Sequence, residues 1–125
     1  MIGTVKEAEI LNFVRSSIGS VWALEMLLLV GDRPERAWPL DELVRELRSS
    51  PAAVAGAALA LERAGLVAND GERGCRYRPV SPELDAIGEW VRKIYATKPA
   101  TVIGAIFESS DDKLRAFAAA FKFKE

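Results

Sequence analysis

Apolar residues recur at helical spacing along most of the chain, and the pattern breaks at a few Ser, Gly and Pro positions. Thr4-Val5-Lys6-Glu7 has the spacing of a capping box, in which a Thr hydroxyl and a Glu carboxylate each take an orphan backbone N–H. The helix it opens places Ile10, Phe13, Val14, Ser17 and Val21 in one stripe, with Leu11 and Ile18 at its margin. Ser16, Ser17, Gly19 and Ser20 leave open whether this helix continues into the next. Residues 22–30 are apolar almost all round, which predicts the central helix of a core, ended by Gly31-Asp32 and Pro34.

The middle of the chain changes period. Ala37-Trp38 is expected as a short strand against the wing by likeness to related folds, and Pro39 fits the first turn of a following helix, where its missing N–H costs nothing. Leu40, Leu43, Val44 and Leu47 fall at i, i+3, i+4 and i+7 and predict one buried face. After a short turn, Ser50-Pro51 signals another helix, whose inward face is Val54, Ala58, Leu61 and Gly65. Gly65 is its expected stop, and Leu66-Val67 begins a strand. Asp70-Gly71 predicts a hairpin turn. Arg76, Tyr77 and Arg78 alternate on the return strand, which Pro79 closes.

Ser81-Pro82-Glu83 repeats the helix-start signal. Leu84, Ile87, Val91 and Ile94 form the apolar stripe of that helix, flanked by Trp90 and Tyr95, and Pro99 ends it. Val102, Ile103, Ile106 and Phe107 mark a shorter helix. A last one opens at Ser110-Asp111-Asp112, turns Leu114, Phe117 and Phe121 inward, and carries Lys122 and Lys124 at its end, matching the helix dipole. The fold class expected is mainly α with a small β-wing. A single domain spans 1–125, comprising an N-terminal helix at 4–19, a core at 20–80 and C-terminal helices at 81–125.

Composition narrows the chemistry. The chain has 125 residues, half of them apolar, with a formal net charge of −1. That size supports a core without disulfides or metals, and no global positive field draws it to nucleic acid or anionic lipid. With one cysteine no internal disulfide forms, so a reducing cytoplasm is the expected setting. Cys75 reads as a small strand residue rather than a redox sensor. The absence of histidine removes His–Ser and His–Cys dyads and the commonest zinc ligand. No glycine loop of the phosphate-cradling kind is present. Catalysis, cofactors and metals are not expected. Residues 1–9 do not have the pattern of a signal peptide, and no apolar run reaches the ~20 residues that span a bilayer.

The run Leu61-Glu62-Arg63-Ala64-Gly65-Leu66-Val67, taken with Leu40 to Leu47 and Val54, resembles the segment that leaves the recognition helix and enters the wing in bacterial winged-helix regulators of the MarR and PadR types. The resemblance covers about a third of the chain. It implies a winged helix-turn-helix core with added N- and C-terminal helices, dimerisation through those terminal helices, and a helix at 51–64 that enters the major groove of double-stranded DNA.

The outward side of that helix departs from the family's usual chemistry. Opposite Val54 and Leu61 lie Ala52, Gly56, Leu59 and Arg63, with Ala53, Ala55 and Ala60 at the margins. Base reading needs bidentate donors or acceptors, each worth ~1–3 kcal/mol of discrimination, and alanine supplies neither. From Asp41 to Arg78 six basic residues meet six acidic ones, so the module is neutral. The candidate DNA contacts are therefore Arg73, Arg76 and Arg78 of the wing, with Arg63 and Arg48. The alternative reading of the wing arginines is a solvated hairpin balanced by Asp70 and Glu72. Arg45 and Arg48 are expected to pair locally with Asp41, Glu42 or Glu46.

Three functions follow. The first is a homodimeric transcriptional regulator with weak or wing-mediated DNA binding. The second is a protein-interaction module that docks a partner, or a second copy, on Ala52, Gly56 and Leu59. The third, of low weight because aromatics at helical spacing usually belong to the core, is a small-ligand sensor around Trp22, Trp90 and Tyr95.

Overall fold

Gly19 sets the geometry of the N-terminal region in the computed structural model, which describes residues 7–107. Helix α1 covers Glu7–Phe13 and runs on as one π turn, Val14–Ile18. Gly19 closes that turn at φ 71°, its N–H donating to the Val14 carbonyl at 3.0 Å. The i to i+5 bond widens the helix. Ile10, Val14 and Ile18, four apart, are consequently the buried positions, and Ile18 takes the inward place expected of Ser17. The junction is a corner: α2 (Val21–Asp32) leaves at a bend of 108°. Ser20 caps α2 by accepting the Ala23 N–H at 3.1 Å.

Helix α2 is the hub. Ala23, Leu24, Met26, Leu27 and Val30 are buried, and the helix packs on the helices at 40–47, 51–63 and 82–97 and on the strand at 75–77. Helix α3 covers Leu40–Leu47. Pro39 is its cap residue rather than part of its first turn, with ψ 149°. Leu43 is fully buried and Val44 and Leu47 partly so, but Leu40 is 44% exposed. As the first helical residue, Leu40 projects past the α3–α2 contact, so the expected buried face is one residue shorter. Arg48 ends α3 in the left-handed region at φ 53°.

Ser50 and Pro51 start α4 (Pro51–Arg63), with Ser50 Oγ accepting the Ala53 N–H at 3.1 Å. Its end is a Schellman motif. Gly65 sits at φ +83° and donates to the Glu62 carbonyl, while Leu66 N–H reaches Leu61, each at 3.0 Å. Strands β1 (Val67–Asn69) and β2 (Cys75–Tyr77) pair antiparallel, Val67 opposite Tyr77 and Asn69 opposite Cys75. A short 3-10 turn, Gly71–Arg73, connects them. Trp38 adds a third rung: it exchanges two backbone hydrogen bonds with Cys75, at 2.7 and 2.8 Å.

Ser81 caps α5 (Pro82–Thr97) by accepting the Leu84 N–H at 3.1 Å. Val91, Ile94 and Tyr95 are buried, and three polar ties hold the helix: Tyr77 Oη to Asp85 Oδ1 at 2.9 Å, Tyr95 Oη to Glu25, and Arg92 to the Gly31 carbonyl at 3.2 Å. Helix α6 occupies 99–107, with Val102 and Ile106 buried in the common core. The architecture of the described residues is mainly helical with a small two-stranded antiparallel sheet. No helix among them is long and apolar enough to cross a membrane. The Thr4 half of the capping box and the helix expected from Ser110 onward lie outside the described residues.

Candidate functional site

The outward side of α4 carries almost no hydrogen-bonding chemistry. Ala52, Ala55, Gly56 and Leu59 are exposed along about two turns, and Ala53 and Ala60 beside them are half-buried. Charge begins only at Glu62 and Arg63 in the last turn, both exposed. The spacing of Val54 and Leu61 turns both inward, fully buried, and thereby fixes this outward set.

The hairpin beside α4 has the opposite character. Cys75 and Tyr77 point into the core, which puts Arg76 on the outer face opposite Ala68, and Arg73 and Arg78 are exposed at the turn and just past β2. Among the described residues the side chains of Arg73, Arg76 and Arg78 make no ion pair or hydrogen bond; the expected balance with Asp70 and Glu72 does not form as ion pairs. Arg45 pairs with Asp41 at 3.7 Å, as an exposed i, i+4 contact. Glu42 pairs instead with Arg36, whose guanidinium stacks 3.8 Å from the centroid of the Trp38 ring. Arg48 makes no ion pair among the described residues.

The five candidate arginines do not form one patch. Arg48 precedes α4 and Arg63 ends it, so a helix of 13 residues holds them roughly 20 Å apart. Arg63 lines a polar cleft with Arg15, Ser16 and Ser17 at the π turn. Arg73, Arg76 and Arg78 lie together on one segment, the hairpin turn and its return strand.

Between the start of α3, the middle of α4 and the hairpin lies an apolar groove of about 380 Å3, walled by Trp38, Leu40, Leu43, Ala55, Leu59 and Cys75. Leu59 is 45% exposed and forms one lip, Leu40 the other. Leu59 was legible as an outward residue. Leu40 was not, because its helical spacing matches the buried face and only the end of α3 places it outside. Cys75 is buried, and its thiol is pushed up to about 12, by burial first and then by the negative charge of Glu62.

Trp90 lines a shallow depression with Glu7, Lys93 and Lys98, and Trp22 and Tyr95 are not part of its wall. Tyr95 is buried and bonded to Glu25, while Trp22 is exposed. Of the helices expected to dimerise, α5 turns Val91 and Ile94 into the chain's own core. No three His, Cys, Asp or Glu side chains gather as a metal site among the described residues. No family model, curated protein or solved structure matches this chain.

Proposed function

We propose that the chain is a non-enzymatic winged helix-turn-helix regulatory protein that holds duplex DNA through its hairpin. The order α2, Trp38 rung, α3, tight turn, α4, β1, β2 supports the winged-helix reading. The observation that carries the function is that Arg73, Arg76 and Arg78, on a hairpin adjoining an exposed, side-chain-poor helix, make no ion pair or hydrogen bond with their side chains among the described residues. Guanidiniums with no protein partner are available to phosphate oxygens or a minor groove.

On this reading α4 offers DNA a smooth surface rather than a reading head. Ala52, Ala55 and Gly56 permit close approach, and thymine methyls are the only base groups they contact favourably. Binding is weak, tolerant of sequence and steeply salt-dependent. Arg63 and Arg48, on separate ends of α4, contribute less than any hairpin arginine.

Fluorescence anisotropy on duplexes of unrelated sequence tests this. The expected result is similar affinity for each duplex at low salt, lost at physiological salt, and lost at low salt when Arg73, Arg76 and Arg78 are all changed to Gln. Absence of low-salt binding, together with a change of assembly in Leu59→Glu, would replace DNA with a protein partner on Ala52, Gly56 and Leu59.

A further inference from the structure

The geometry points to a phosphate-binding site in the cleft between the π turn and the end of α4, with Arg63 as its principal contact. The cleft measures about 460 Å3 and is walled by Arg15, Ser16 and Ser17 on one side and by Ala60, Arg63 and Ala64 on the other. Arg63 and Ser16 are exposed and Arg15 and Ser17 half-buried, so none of these side chains is shut away from solvent. The Arg63 side chain makes no ion pair or hydrogen bond among the described residues. Glu62, its neighbour in sequence, is not part of the wall, and no Asp or Glu lines the cleft among the described residues.

The wall specifies the ligand. A widened π turn spreads successive residues over a smaller angle than an α-helix does, so three in a row, Arg15, Ser16 and Ser17, line one cleft. Arg15 is held there by its bond to Asn12 Oδ1 at 2.7 Å and adds positive charge to the wall. Ser16 donates its proton to the Asn12 carbonyl at 2.9 Å, and the Ser17 oxygen lies 3.5 Å from that of Ser16. With that one long contact among the described residues, the Ser17 hydroxyl can turn its proton toward an anion. A planar guanidinium fork beside a hydroxyl donor suits an anion with several acceptor oxygens, which a phosphate group supplies together with its charge. Ala60 and Ala64 leave room beside Arg63 for whatever the phosphate is esterified to. A duplex backbone and a small phosphate ester present the same chemistry to Arg63. The site contains no hairpin arginine, so it stands or falls apart from the hairpin's hold on DNA.

The test is a nitrogen–proton NMR titration of the full chain in which inorganic phosphate replaces chloride at constant ionic strength. The expected result is a saturable shift of the Ser16, Ser17 and Ala64 amides, with binding weakened about tenfold or more in Arg63→Gln and unchanged in Arg78→Gln. Arg63 is exposed at the end of α4, so its replacement leaves the fold intact. A second titration with a short duplex at the same salt separates the two sources. Shifts of the same amides that Arg63→Gln removes assign the site to backbone phosphate; fixed amides assign it to a small phosphate ester. No saturable shift with inorganic phosphate, or a titration unaltered in Arg63→Gln, would overturn the site.

Discussion

Cys75 shows how one residue reports the whole hairpin. Its backbone makes both bonds of the Trp38 rung, and its thiol is shut in the core. Thiolate is the reactive form, so a group held protonated to about 12 is inert in the folded chain. Iodoacetamide at mildly alkaline pH should leave native protein unlabelled and modify it fully in denaturant, as mass spectrometry will read. The same shift makes stability fall at high pH. Below pH 9, the ordinary thiol value, folded and unfolded chains are both protonated and Cys75 adds no pH dependence. Between 9 and about 12 the unfolded chain gives up a proton that the folded chain keeps, so stability declines as pH rises. Tyr95, pushed up to about 12 by burial and then by its bond to Glu25, and Tyr77, raised by burial and by Asp85, act in the same direction. Calorimetry should show Tm dropping above pH 9, with a shallower drop in Cys75→Ala. Gly74 is a second decisive residue: at φ 101°, an added Cβ would sit 1.9 Å from the Trp38 carbonyl oxygen. Gly74→Ala should cost about 1–3 kcal/mol in denaturant unfolding. The residue pattern made the inward Val54 and Leu61 legible, and with them the bare outward face. Leu40 and Ser17 were misplaced because a helix end and a π turn shift which side chain faces inward without changing the sequence spacing.

At the scale of elements, boundaries carry local chemistry and were the easiest part to read. Ser50-Pro51 and Ser81-Pro82 start helices because a Ser hydroxyl accepts an orphan N–H just before a residue that has none to lose. Ser50→Ala and Ser81→Ala should each lower unfolding free energy by about 1 kcal/mol in urea titrations. Gly65→Ala should cost more than either, about 1–2 kcal/mol, since it strains a left-handed residue and drives a Cβ to 2.8 Å from Leu84. A loss smaller than that of the Ser caps would contradict the Schellman assignment. The π turn and the 108° corner at Gly19 were not legible. Around them Ile10, Val14 and Ile18 all face the core. The groove was hidden for a related reason, since its wall draws on three stretches of the chain, Trp38 with Leu40, Leu59 and Cys75, that only the packing of α3, α4 and the hairpin brings together.

For the whole molecule, charge decides what binding takes place. A net charge of −1 gives no long-range attraction to DNA. Any grip on DNA therefore rests on short-range contacts of Arg73, Arg76 and Arg78. Each phosphate contact adds about 0.9 to the slope of log affinity against log salt. The most direct measurement is that slope, taken for the native chain and for the triple Arg→Gln variant on one duplex. Three hairpin contacts predict a steep native slope that becomes shallower by about 2–3 in the variant, with affinity near the detection limit. Equal slopes and affinities in the two proteins, or no binding by the native chain at the lowest salt, would contradict a DNA-holding hairpin.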